Sequence, residues 1–227
     1  MEEKIRFVDR ILKALSEEGL LEHFLVVGSW CIYFYKHMFK DSLKAPLWKT
    51  TDIEFDTSSL KKAPKTVDIS RFLRDFGFLV RYHGDEGYTT YEHPELIIEF
   101  FVPQVGDGRT NPYKIPGFGI NPQPMRFLSM LEDEALTIDY NGLPIRVPRP
   151  ANYSIHKLMI STERKNPTKA EKDRQQALAL WDMLRDSGEE DALKAVFSKL
   201  SSRQQKLARK SLEILGESGR LQGFTLR

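Results

Sequence analysis

The chain has 227 residues, 41% of them hydrophobic and 29% charged, which suits one large soluble globular domain or two small ones. The net charge of +2 is unevenly spread: residues 151–227 carry 15 Lys/Arg against 10 Asp/Glu, and residues 1–150 carry 19 against 22. A single cysteine, Cys31, excludes a disulfide framework or a cysteine-rich zinc site within one chain.

Residues 3–17 place Ile5, Val8, Ile11, Leu12 and Leu15 at helical spacing, and Gly19 stops that helix. The opening MEEKIRFVDR lacks the apolar core of a signal peptide, and no apolar run approaches the roughly 20 residues that span a bilayer. A cytoplasmic protein without a membrane partner is expected. HFLVVG is a short apolar run closed by glycine and reads as a buried strand. In SWCIYFYKHMF, Ser29 is placed to cap an apolar helix, with Trp30, Tyr33, Phe34 and Tyr35 expected in the core. Residues 40–50 read as a loop. TDIEFDT alternates acid and apolar residues, which is a strand period.

DISRFLRDFG reads as a short amphipathic helix ended by Gly77; FLVRYHG, YTTYEHP and LIIEFFVP then read as three strands joined by tight turns. Residues 103–125 are rich in Gly, Pro and Asn and read as a long loop, a candidate substrate lid. Asn141-Gly142 between alternating segments marks a hairpin. After Pro150 the pattern is helical over 152–164, 168–187, 188–199 and 201–215. The expected architecture is α/β (α+β), with a small mixed-sheet domain over 1–150 and a helical domain over 151–227. The basic helical part would face phosphates or nucleic acid, or serve as solvated surface.

Residues two apart on a strand share a face, so Asp52, Glu54 and Asp56 point one way and Ile53 and Phe55 the other. Like charges at that spacing repel unless a cation sits among them. Mg2+ fits, because it takes oxygen ligands and leaves positions open for phosphate oxygens. The competing interpretation is a wet strand face. An EF-hand is excluded, because its sixth position is Thr57 rather than Gly and its twelfth is Ala63 rather than Glu.

Glu99 has three apolar residues on each side, which suits a strand buried on both faces. A carboxylate there is expected to be paired, protonated or metal-bound. A structural ion pair and a third metal ligand both satisfy that requirement. Gly28-Ser29, at a strand-to-helix junction, offers backbone N–H groups to a phosphate. Neither GxxxxGK[ST] nor GxGxxG occurs.

Taken together, VVGS at 26–29, DIEF at 52–55 and IEFF at 98–101 resemble the polymerase-β-like nucleotidyltransferase superfamily. The stretch SIHKLMISTERKNPTKAEKDRQQ looks like the Lys-Arg-Lys-Asp pattern of bacterial families close to abortive-infection toxin nucleotidyltransferases, with Lys157, Arg164, Lys172 and Asp173 in the matching positions. This resemblance implies an NTP substrate and Mg2+ or Mn2+ held by Asp52, Glu54 and Glu99. It implies phosphate binding at Gly28, Ser29, Lys157 and Arg164, in a cleft between the two domains. The acceptor would be RNA, a protein or a small molecule. Two departures are a gap of 22 residues between Ser29 and Asp52, and a Glu as second acid. An inactive member of the fold, acting as a binding module with a partner protein in a defence or toxin–antitoxin pair, is the alternative. Nucleic-acid binding by the basic helices is a third class. His156 is read as a packing or surface residue rather than a base.

Overall fold

The computed structural model describes residues 2–46, 50–84, 87–106 and 115–225. The chain divides into two compact units, Met1–Phe34 with Lys49–Val147, and Tyr35–Trp48 with Pro148–Arg227. The second unit thus takes in residues 35–48, which the sequence reading assigns to the domain over 1–150.

The first unit is a mixed α/β layer. Helix α1 (Glu2–Glu17) buries Phe7, Val8, Ile11, Leu12 and Leu15 on one stripe, and ends before Gly19, whose φ of +69° closes the turn. Strand β1 (Leu25–Val27) is wholly buried and runs through a turn into α2 (Trp30–Phe39). Strand β2 (Asp52–Asp56) follows, then α3 (Ile69–Asp75), whose N-cap Asp68 accepts from Arg71 N. Strands β3 (Leu79–His83), β4 (Tyr88–His93) and β5 (Leu96–Pro103) form a meander. Strand β6 (Gln123–Met125) and a single turn, α4 (Ser129–Glu132), precede the hairpin of β7 (Leu136–Tyr140) and β8 (Leu143–Val147). Asn141 and Gly142 have φ of 52° and 81°, as the tight hairpin turn requires.

The strand order is β3-β4-β5-β2-β1-β8-β7, with β6 added to β5. The β2/β5, β1/β8 and β5/β6 pairs are parallel, and the other pairs are antiparallel. One sheet face carries Val26, Ile53, Phe55, Ile98 and Phe100, all buried; Phe24 packs on Phe55 and Phe100 at 5.3 and 5.7 Å between ring centres. Part of the opposite face, Leu25, Val27 and Phe101, is covered by Leu128 and Leu131. The rest of that face is where the acids stand.

Residues 103–125, expected to be all loop, contain β6 and an Ile115–Ile120 bridge; residues 107–114 lie outside the described residues. Pro124 tolerates its place because, among the described residues, β6 pairs on one side only, with β5. Residues 47–49 of the expected 40–50 loop also lie outside the description, and Lys40–Ser42 form a short 3-10 turn.

The second unit is built on α5 (Pro150–Ser161), nearly all of whose side chains are buried. Helix α6 (Pro167–Asp186) starts at the Asn166 cap, α7 is Glu190–Lys199, and α8 (Ser202–Ile214) opens with a Ser201/Gln204 capping box. Polar ties lock these helices: Ser154 Oγ donates to Ala177 O at 2.9 Å, and Ser161 shares a 2.8 Å hydrogen bond with Ser211. Trp181 is fully buried and stacks on Phe224. Within the same unit Tyr35 donates to Pro148 O at 2.6 Å. No helix among the described residues is long and apolar enough to cross a membrane.

Candidate active site

Register pairing brings the acids together. Glu54 on β2 stands opposite Glu99 on β5 and Val27 on β1. Asp52 lies two residues along on the same face. One ligand oxygen from each of Asp52, Glu54 and Glu99 falls within 4.8 Å of the others, and all three residues are half-buried. Three hard oxygen donors at that separation, reachable from solvent, match what a divalent cation such as Mg2+ or Mn2+ requires. The carboxylates also repel one another at this distance, which favours an ion between them.

Glu99 was expected on a strand buried on both faces, and it is only half-buried. Its face of β5 is open because its lateral neighbours are Glu54 and Thr90 rather than apolar side chains. Tertiary neighbours, not the flanking apolar run, set its exposure.

Gly28 has φ of +67°, and a β-carbon placed there would lie 2.2 Å from Glu54 Oε2. Only glycine lets the turn meet that carboxylate so closely. The Gly28-Ser29 turn therefore abuts the acids, and α2 starts at the next residue, Trp30. Backbone N–H groups at a helix start bind phosphate oxygens well. Of the aromatic residues after it, Trp30, Phe34 and Tyr35 are buried, and Tyr33 shares a 3.0 Å hydrogen bond with Tyr140.

Asp56 shares the strand face of Asp52 and Glu54 but stands apart from their cluster. Its register partners are Leu25 and Phe101, both in the apolar cluster with Leu128 and Leu131, and it is 1% exposed. Oδ1 accepts from Ser58 N at 2.8 Å and from Ser58 Oγ, while Oδ2 is buried with no hydrogen-bond partner among the described residues. Burial pushes its carboxyl up to about 6; the Ser58 hydrogen bonds pull the other way, Glu132 adds to the rise and Arg146 opposes it. Nothing in the alternation of DIEFD distinguishes this acid from the other two.

Thr50 also escaped sequence reading, although it touches an acid: its hydroxyl donates to Asp52 Oδ1. A hydroxyl residue two positions before the first acid was the available signal.

In the second unit, Lys157 on α5 is buried and its Nζ donates to Asp173 Oδ1 at 2.7 Å. Arg164 Nε donates to Asp173 Oδ2 at 2.8 Å, with the arginine side chain 37% exposed. Burial alone would raise the Asp173 carboxyl, but Lys157 and Arg164 outweigh it and hold the carboxyl below its usual range. Lys157 also lies 5.3 Å from the Tyr153 ring centre. These ties within the helical unit engage both cations that the sequence offered to phosphates. Lys172 is partly exposed on α6, and His156 is buried on α5.

A family described as Nucleotidyltransferase has a model that matches residues 6–201. Among solved structures, an antigenic nucleotidyltransferase-like protein from Paracoccidioides brasiliensis is similar at 12% identity, covering 100% of this chain and 95% of that one, with a TM-score of 0.53. ANT(2")-Ia in complex with adenylyl-2"-tobramycin aligns at 16% identity over 88% of this chain and 99% of that one, with a TM-score of 0.47. No curated protein matches the chain.

Proposed function

This chain belongs to the nucleotidyltransferase family, and on that premise we propose that it transfers a nucleoside monophosphate from an NTP to an acceptor hydroxyl. The acceptor oxygen forms a bond to the α-phosphorus, the bond from that phosphorus to the pyrophosphate oxygen breaks, and the hydroxyl proton passes to solvent. Asp52, Glu54 and Glu99 would hold Mg2+ or Mn2+, which when bound neutralises phosphate charge and lowers the acceptor hydroxyl's pKa. The Gly28-Ser29 turn binds the outer phosphates through backbone N–H groups.

The observation that carries this reading is the convergence of Asp52, Glu54 and Glu99 within 4.8 Å, with Glu54 against the Gly28 turn. An inert polar strand face needs neither feature. The test is thermal melting of wild type and Asp52→Asn with EDTA and with Mg2+ plus ATP, beside incubation of each labelled NTP with Mg2+ and cell extract. At about 100 times Kd, ligand binding adds about 2.7 kcal/mol, on the order of 5–10 °C for a chain of this size. Wild type gains that stability and Asp52→Asn gains much less. Equal gains show that Asp52 does not bind the metal–nucleotide complex. Binding without any labelled product, whichever NTP is used, favours the inactive binding module.

A further inference from the structure

The three acids are not held equally. Glu54 sits mid-strand, with β1 on one side, β5 on the other and the Gly28 turn against its carboxylate. Glu99 is likewise flanked, by β2 and β4. Asp52 is the first residue of β2, and the β1 register ends at Glu54, so among the described residues only β5 borders Asp52 through the ladder. A ligand at a strand end has the most backbone and rotamer freedom of the three, and a metal site loses affinity when a ligand wanders.

The structure supplies a separate restraint at this point. Thr50 Oγ1 donates to Asp52 Oδ1 at 2.5 Å and lies 3.3 Å from the Asp52 carbonyl oxygen. Thr50 is itself tied down, because Lys4 Nζ on α1 donates to its carbonyl oxygen at 2.9 Å. The next residue is held too: Ile97 N donates to Thr51 O at 2.8 Å. The chain entering β2 is thus anchored from α1 on one side and β5 on the other, with the hydroxyl aimed at the carboxylate.

We propose that Thr50 is a positioning residue for the metal–nucleotide complex: its hydroxyl fixes the Asp52 carboxylate, and Lys4 fixes Thr50. This rests on the reading of Asp52 as a metal ligand. The hydroxyl occupies one lone pair of Oδ1 and limits rotation about the Asp52 side chain. The rest of the carboxylate stays directed at Glu54 and Glu99. Because the donor is neutral, it orients the acid without cancelling the charge that the cation needs. A lysine or arginine in its place would orient Asp52 but compete with the metal.

The test uses the full chain and Thr50→Val, which keeps the β-branched shape and removes the hydroxyl. Thr50→Ser restores the hydroxyl, and Lys4→Met removes the outer anchor. Each protein is melted in EDTA and across a Mg2+ titration at fixed ATP, and Mn2+ binding is followed directly by electron paramagnetic resonance. Loss of a partner that orients a ligand typically weakens metal affinity by about 10- to 100-fold. Thr50→Val is expected in that range, Lys4→Met in the same direction but less, and Thr50→Ser near wild type. All four should melt alike in EDTA, which a merely structural threonine would not give.

If wild type answers to metal and Thr50→Val titrates identically, the positioning role is wrong while the metal site stands. If wild type itself shows no response to Mg2+, Mn2+ or ATP, the metal reading fails and this inference falls with it. Should Thr50→Val melt early in EDTA, Thr50→Ser decides: a variant that restores both stability and metal affinity supports the hydroxyl, and one that restores stability alone overturns it.

Discussion

Asp56 makes the pH dependence of stability calculable. Its carboxyl has an ordinary value of 3.8 and rises to about 6 in the folded chain, chiefly through burial. The folded state therefore holds this proton more tightly than the unfolded state. The resulting stability is fully present below about pH 4 and is lost as pH rises through about 6. A rise of this size corresponds to about 3 kcal/mol, at 1.36 kcal/mol per pH unit. Asp56→Asn removes the titration and keeps an oxygen able to accept from Ser58. Other carboxylates slope the opposite way, so the useful quantity is the stability of wild type minus that of Asp56→Asn. Urea unfolding in EDTA at several values from pH 3.5 to 7.5 measures it. The difference should fall by about 3 kcal/mol over that span, most steeply between pH 4 and 6. A buried amide has its own unmet hydrogen bonds, so the variant is offset at every pH without changing the slope. Parallel curves for the two proteins would refute the claim that Asp56 is protonated more readily in the fold.

Gly28→Ala should force Glu54 out of place, since the new β-carbon lies 2.2 Å from Oε2 at a φ of +67°. The expected result is a transfer rate lower by about a hundredfold or more, with a stability cost of only about 1–2 kcal/mol, read from kinetics and melting together; an unchanged rate would show that Glu54 is not needed at that position. Lys157→Met should leave the buried Asp173 with only Arg164 among its two ion-pair partners and cost about 3–5 kcal/mol in EDTA, a drop on the order of 10 °C in Tm. Asp173 has a lowered carboxyl, so its contribution to stability is present above pH 3.8 and lost as pH falls further, and Lys157→Met should flatten that acid limb in urea titrations.

Local periodicity was enough for much of the framework. The spacing of Ile5, Val8, Ile11, Leu12 and Leu15 specifies α1, the alternation in DIEFD specifies β2, and Asn141-Gly142 specifies the β7–β8 turn, because each depends on neighbours within a few residues. The acids of the candidate site were legible for the same reason, as two side chains on one strand face and a carboxylate embedded in an apolar strand. Short elements were not: α4 spans four residues and β6 three, too few to show a period. Long-range pairing decided the rest. Glu54 and Glu99 are 45 positions apart in sequence and meet only because β2 and β5 pair in parallel. Asp52 and Asp56 look alike in an alternating strand, yet one ends half-exposed beside two carboxylates and the other ends sealed beside Leu25 and Phe101. Lys157 and Arg164 stand out by pattern as two cations seven residues apart, and the packing of α5 on α6 brings both to Asp173. A sequence pattern states which way a side chain faces along its own element; the dielectric and the charges it meets there belong to the elements packed against it, and those set whether it binds a cation, a proton or a neighbouring ion.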